Sequence, residues 1–283
     1  MDKEIFGKCW LVVALSVALV LLCTNGAALA GAIVDYEGLD SVHSGAKGPE
    51  SGTRFTIGAG MAVVPDYEGS EDYEAAPLLH FRMDLASGRY LDFSGNRVKF
   101  NVMGDSKWSI GPELRIRAKR DDDVDEKKVA DLKKVDRAVE LGGFVAYDLG
   151  SNFEVGANLL QDVADGHDGF LLGLSAGYRI PMNNSMVALK VFTTYASNDY
   201  MDAYFSVKRK NVGSSSLDFY NADEGFKDFG LTCVISHQFN ESWGMVGVLG
   251  YSRLIGDAAD SPLVDDVGDA NQFLGGIMGT YRF

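Results

Sequence analysis

The sequence predicts an all-β fold, a closed antiparallel transmembrane β-barrel of about twelve strands. Three observations predict it. Segments of about ten residues recur in which alternate positions are apolar. The connections between them alternate between short and long, as in barrels with tight turns on one side of a membrane and loops on the other. An aromatic residue stands near many segment ends, where a membrane–water girdle requires one. Composition agrees, with 33 Gly, 12 Tyr and 16 Phe against 6 Pro in 283 residues. Apolar residues at 46% and charged residues at 23% exclude a disordered chain.

The N-terminus reads as an export signal. Lys3 and Lys8 precede an apolar run from Trp10 to Leu22, and Ala28-Leu29-Ala30 supplies a small-residue cleavage site before Gly31. The run falls short of the ~20 residues a membrane-spanning helix needs. Residues 1–30 are therefore expected to be a signal peptide. Residues 31–53, polar and rich in Gly and Ser, are expected to form an extended periplasmic lead-in, and residues 54–283 the barrel. Cys9 and Cys23 lie in the export segment, so the mature chain keeps Cys233 alone and has no disulfide scaffold or Cys-based metal site.

The strands follow in order. In 55–63, Phe55, Ile57, Ala59, Met61 and Val63 share one face, opposite Thr56, Gly58, Gly60 and Ala62. The alternation recurs in 77–84, 108–117, 139–148, 153–160, 170–179, 187–195, 229–236 and 272–283, and less cleanly in 243–254. Two short pieces, 89–94 and 97–103, are joined by Gly95-Asn96, a hairpin signal. Counting them gives twelve strands; leaving them outside the wall gives ten. A soluble sandwich would alternate similarly, but the loop asymmetry, the aromatics and the terminal Tyr281-Arg282-Phe283 favour a membrane barrel. Tyr281 and Phe283 resemble the C-terminal signal read by the barrel assembly machinery.

The apolar face, expected to meet outer-membrane lipid, carries almost no charge. The opposite face collects Arg82, Glu113, Arg115, Arg117, Glu140, Glu154, Arg179 and Lys190. Glu113, Arg115, Arg117 and Glu140 fall on consecutive strands, so opposite charges are expected to pair across the ladder inside the barrel. Phe144, Phe192 and Leu160 on the same phase argue against an open pore, since small barrels fill their interiors with side chains.

Phe55-Thr56-Ile57-Gly58-Ala59-Gly60 is followed by Pro65-Asp66-Tyr67-Glu68-Gly69-Ser70 and Asp72-Tyr73. With Ser261-Pro262-Leu263-Val264 and the aromatic end, this resembles the MipA/OmpV family of Gram-negative outer-membrane proteins over residues 54–283. The resemblance implies an envelope scaffold whose partners are a murein lytic transglycosylase and a murein synthase. Other members are linked to permeability and adhesion. It implies no catalytic residues.

The residues themselves add little chemistry. Lys plus Arg number 26 against 40 Asp plus Glu, a net charge of −14, which excludes a nucleic-acid binder. Neither His80, on the lumen phase, nor His237, on the lipid phase, has a serine two residues away on its own face; a cross-strand serine remains open. His43 lies in the lead-in. His167 sits in the 162–168 segment, which reads as a solvated turn, its aspartates lacking the spacing of a Ca²⁺ loop. The acidic loops 66–74 and 256–271 read as solvated rims or as sites sharing divalent cations with phosphorylated outer-leaflet lipid. The 118–137 loop, with seven acids and seven bases, reads as self-paired and mobile. The 197–225 loop holds Tyr200, Tyr204, Phe205, Phe219 and Tyr220 and is expected to fold on itself or tuck into the mouth. No enzyme activity, cofactor or metal is expected. The functional expectation is a non-enzymatic envelope scaffold, with a small-solute channel as the competing class.

Overall fold

The computed structural model describes residues 52–104, 107–120, 124, 126–132 and 134–283. The export segment, nearly all of the lead-in, Cys9, Cys23 and His43 lie outside the described residues. Twelve antiparallel strands close into one barrel. They are β1 (Thr53–Pro65), β2 (Tyr73–Leu85), β3 (Tyr90–Ser94), β4 (Arg97–Asn101), β5 (Trp108–Arg117) and β6 (Ala138–Gly150), then β7 (Phe153–Asp162), β8 (Phe170–Met182), β9 (Ser185–Ala196), β10 (Gly225–Gln238), β11 (Trp243–Leu254) and β12 (Asn271–Arg282). Each strand pairs with its chain neighbours, and the seam sets Thr56 of β1 opposite Arg282 of β12 and Val63 opposite Gly275. Gly60 stands at this seam because a Cβ there would collide with the Ile277 carbonyl and the Met278 backbone. Closure leaves no free edge around most of the wall, which a sheet in hydrocarbon requires.

The short hairpin β3–β4 belongs to the wall, so the count is twelve rather than ten. It reaches only part of the wall's height. Its contact with β2 runs from His80 to Asp84, and its contact with β5 from Glu113 to Arg115.

The period-two pattern sorts the two faces. Outward residues are exposed and apolar: Ile277 is 55% exposed, Leu159 53% and Leu249 62%. Two aromatic girdles bound this belt. At the end carrying the short turns, Trp108 packs on Tyr147 at 4.4 Å, Phe153 on Tyr178 at 4.6 Å and Trp243 on Tyr281 at 4.8 Å. At the end carrying the long loops, Tyr195 packs on Phe226 at 5.6 Å and Tyr251 on Phe273 at 5.2 Å. On β12 the girdle residues Phe273 and Tyr281 are separated by about 27 Å along the strand at ~3.4 Å per residue. At a tilt of ~40° that spans roughly 21 Å, close to the apolar band of an outer-membrane barrel.

Inside, the lumen is divided. Ala62, Val64, Ala76, Leu78, Ala188, Val234, Val246, Val248 and Met278 form one dry cluster against one wall. The charged residues line the other. The turns on the girdle side are tight; Ser151 and Asn152 both take positive φ, 52° and 69°, the geometry that a right-twisted hairpin favours.

Ile277 lies midway between the two girdles on β12. Replacing it with Arg should lower folding stability by roughly 2–4 kcal/mol. Urea titration of refolding into lipid vesicles measures this; an unchanged midpoint would contradict the assignment of this face to lipid.

Candidate functional site: the capped, charged lumen

Four of the predicted lumen charges, Glu113, Arg115, Arg117 and Glu140, form one paired network, while Arg82 and Lys190 lie apart from it. Glu113 and Glu140 are fully buried. Arg97 and Arg115 each approach Glu113 at 3.3 Å, Lys99 lies at 3.9 Å, and Asn158 donates to it at 3.1 Å. Arg117 donates to Glu140 at 2.7 Å, and Arg115 lies 3.8 Å from Glu140, between the two carboxylates. Nearer the turn end, Arg82 donates to Asp84 at 2.9 Å and to Asp92 at 3.1 Å and rests on the Tyr90 ring. The Ser94 hydroxyl donates to Asp92 at 2.6 Å, which leaves its oxygen to meet His80 Nδ1 at 3.0 Å. Arg179 joins Asp148 and Glu154 at 2.8 and 3.4 Å. Lys190 is half-buried and faces a small cavity of about 50 Å³ shared with Arg97, Lys99 and Glu154.

Above this network the long loops form a cap. The helix α2 (Asn198–Phe205) carries Tyr200, Met201, Tyr204 and Phe205 into a buried cluster with Tyr67, Leu254, Leu263 and Val264. The preceding short helix α1 (Lys127–Ala130) adds Val129, followed by Leu132 and Val135. The short helices α3 (Val212–Ser215) and α4 (Pro262–Asp265) complete the loop layer.

The two motif segments, nearly two hundred residues apart in sequence, meet in this cap. Gly69 has φ +96°, and a Cβ there would sit 2.7 Å from Val264 Cγ2. Its N–H donates to Gln272 Oε1 at 3.1 Å, and its carbonyl accepts from Asp269 at 3.0 Å. The turn is closed by Asp66 N–H to the Asp72 carbonyl and Ser70 N–H to the Tyr67 carbonyl. Ser261 caps α4 by accepting from Leu263 N–H at 3.3 Å, and its hydroxyl donates to the Phe205 carbonyl at 2.6 Å. Pro262 occupies the first turn of α4, where its missing N–H costs nothing.

Glu68 pins the cap to the wall. Its carboxylate pairs with Lys227 and accepts from the Tyr200 hydroxyl at 2.6 Å. Lys227 reaches the interior because the register of β10 against β9 shifts between Phe226 and Asp228. That bulge turns two successive residues, Lys227 and Asp228, inward, and Lys227 donates to Asp228 at 2.6 Å. Burial opposes ionisation of Glu68, but Lys227 and Arg117 outweigh it and hold the carboxyl below its ordinary range. Burial pushes the Tyr67 phenol up to about 12. Beneath the cap lies a cavity of about 250 Å³, lined by residues that include Val64, Tyr67, Glu68, Arg117, Arg120, Phe192 and Lys227.

Three loop expectations are corrected. The 66–74 loop is not merely a solvated acidic rim, because Glu68 finds a base on a distant strand. The 162–168 segment does make a turn, in which the Asp162 carboxylate accepts from the N–H groups of Ala164, His167 and Asp168. But His167 is buried, with Nε2 3.1 Å from Glu140 and its ring edge-on to Tyr200. The 118–137 loop is not simply self-paired and mobile. Val129, Leu132 and Val135 dock in the cap, and Arg120 donates to the Tyr204 and Ala203 carbonyls at 2.6 and 3.2 Å. The 197–225 loop does tuck into the mouth through α2, although Phe219 stays 46% exposed.

The structure also supplies the cross-strand serine that spacing leaves open. Ser185 faces His237 in register, and Ser185 Oγ lies 2.8 Å from His237 Nδ1. The pair sits on the outward face near the turn end, with Phe239 against the imidazole at 5.0 Å. Among the described residues no carboxylate or amide orients the other ring nitrogen, as an activated serine would need.

Fold and site together define a class: a twelve-stranded outer-membrane barrel with a filled, charge-paired lumen and a capped mouth. The chain belongs to the family described as MltA-interacting protein MipA, whose match spans residues 57–283. It is 25% identical over 221 residues to the MltA-interacting protein of Escherichia coli (strain K12), covering 75% of this chain and 84% of that one. It is 26% identical over 192 residues to the outer membrane protein OmpV of Vibrio cholerae serotype O1, covering 68% and 72%. Among solved structures, the KdgM porin aligns with a TM-score of 0.40 at 7% identity, over 81% of this chain and 99% of that one.

Two outcomes follow. Removing Glu140 leaves Arg117 without its carboxylate partner in the barrel interior. Glu140→Ala should cost about 3–5 kcal/mol, with part regained in the Arg117→Ala/Glu140→Ala double variant. Urea unfolding in vesicles measures the cycle; small additive effects would reject the network. The second concerns pH. The Glu68 carboxyl is held below its unfolded value, so its contribution is complete above about pH 4.5 and is lost as pH falls through the depressed folded value. Protection against hydrogen exchange in 66–72 and 198–205, corrected for the intrinsic rate at each pH, should therefore fall on acidification below that point, and Glu68→Gln should show reduced protection already at pH 7. Equal protection in the two proteins at pH 7 would contradict the latch.

Proposed function

We propose that this protein is a non-enzymatic scaffold of the outer membrane that holds a murein lytic transglycosylase, and with it a murein synthase, at the inner face of that membrane. The observation that carries the reading is the obstruction of the lumen at two levels, by side chains within the wall and by the loop cap above. A barrel so filled has its binding capacity on its rims rather than in a conduit. The printed name of the Escherichia coli relative, MltA-interacting protein, supports a partner of this kind. In this reading residues 1–30 are removed on export and residues 31–53 lead in from the periplasm. The N-terminus and the five tight turns then face that compartment, and the long loops face outward. Tyr281 and Phe283 serve assembly; Phe283 stacks on Phe55 at 5.6 Å, which brings the chain end to the start of the barrel.

A small-solute channel is the second reading, and the cavity of about 250 Å³ beneath the cap is the observation that favours it. Crosslinking of intact envelopes followed by purification of the tagged barrel tests the scaffold. Recovery of a lytic transglycosylase in stoichiometric amount is expected. Its absence, while other outer-membrane barrels retain their partners under the same conditions, would overturn the proposal.

A further inference from the structure

The wall of the barrel has a notch. Between β2 and β5 the wall is completed by β3 and β4, each only five residues long. Their connection at Gly95 and Asn96 is tied down on both sides, Gly95 N–H donating to the Leu79 carbonyl and Asn96 accepting from Ile116 N–H. Beyond that tip, β2 from Tyr73 to Leu78 has β1 on one side and, among the described residues, no strand on the other. Backbone groups of alternate residues point to the same side of a strand. Since Leu79 faces the hairpin, Pro77 and Ala75 face the gap. Proline stands where its missing N–H leaves no donor unpaired. The gap is up to ~14 Å across, three strand spacings.

Its depth is set by register. Pro77 lies opposite Met61 and Ala75 opposite Val63 on β1. Met61 and Val63 are outward and more than half exposed, so they belong to the apolar belt. The notch therefore opens at the depth of lipid, not of water. An open strand edge is tolerated at that depth only where it borders protein or a cavity. Such a cavity is present: Pro65, Glu74, Asn96, Arg115, Ala118 and Arg120, around the notch, line the space of about 250 Å³ beneath the cap.

That space is lined by the carboxylates of Asp66, Glu68, Glu74 and Asp228 as well as by bases, and Arg120 is a guanidinium in it that none of them pairs with. Arg120 is 4% exposed, its guanidinium donates only to the Tyr204 and Ala203 carbonyls among the described residues, and its Nε has no partner. No carboxylate among the described residues forms an ion pair with it. A buried guanidinium left in this state favours an anionic ligand.

We propose that the notch is a lateral portal through which the cavity takes a single-chain amphiphile with an anionic head group from the membrane. The head rests on Arg120 and the tail leaves between β2 and β5 along the apolar belt. This binding is independent of the scaffold reading and requires no conduit across the membrane.

Photolabelling tests it. Full-length processed protein in vesicles is exposed to diazirine-bearing hexadecanoic acid, diazirine-bearing lysophosphatidic acid and, as the uncharged control, diazirine-bearing hexadecanol. Labels from at least one anionic probe should concentrate on residues 73–79 and 116–120, and excess unlabelled laurate should displace them. Preference for the carboxylate or the phosphate identifies a fatty acid or a lysolipid as the source. Arg120→Gln should reduce this labelling roughly tenfold, the loss of one charge-assisted hydrogen bond, with the heat-modifiable gel shift of the folded barrel unchanged. If that variant does not fold, Ala75→Trp, whose exposed side chain borders the notch, should block labelling instead. Labels spread evenly around the belt, including 245–249 and 273–277, or failure of laurate to compete, would overturn the proposal.

Discussion

At bilayer depth every backbone N–H and C=O must find its partner inside the protein, because hydrocarbon offers none. This one constraint organises the molecule. It forces closure at the β1–β12 seam, and closure fixes which side chains face lipid and which are enclosed. The period-two alternation then leaves no choice for Arg82, Glu113, Arg115, Arg117 and Glu140. Once the wall is closed they are inside, where each charge must be paired or lose its hydration without return. The apolar cluster around Leu78, Val234 and Met278 makes that demand stricter, since it offers those charges no polar partner.

The cap extends the same logic past the membrane. Glu68 crosses from the first loop to Lys227, which enters the lumen only because a bulge breaks the alternation of β10. Gly69 allows the loop to press against Val264, and Ser261 ties α4 to the end of α2. The two segments that carry the resemblance read from the sequence, Pro65 to Ser70 and Ser261-Pro262, are thus points at which separate loops are fastened together. The fastening holds Tyr200 and Tyr204 over Arg117 and Glu140, so cap and network brace each other.

Much of this was legible in the sequence, for a physical reason. Alternation at period two is a local property, so strands such as 55–63 and 272–283, the lumen phase of Glu113 and Glu140, and the aromatic girdles could be read directly. Pairing between consecutive strands follows from meander topology, so the Arg117–Glu140 contact was within reach. The cap was not. Glu68 and Lys227 are 159 residues apart along the chain, and their contact depends on a register shift. The only local hint is Lys227-Asp228, two charged neighbours interrupting an alternating strand. His167 looked like part of a solvated turn because nothing in its own segment announces Glu140. The half-height hairpin was visible as two short pieces around Gly95-Asn96. Its consequence, an unpaired edge at Pro77, required the register of β1, β2 and β5 together.

The central claim is that the enclosed charges and the cap leave no continuous aqueous path through the barrel. Planar-bilayer recording of the purified, folded protein tests it most directly. The account predicts membrane insertion without stable conductance steps at neutral pH. Reproducible ohmic steps from the wild-type protein would contradict it and establish an open channel in its place.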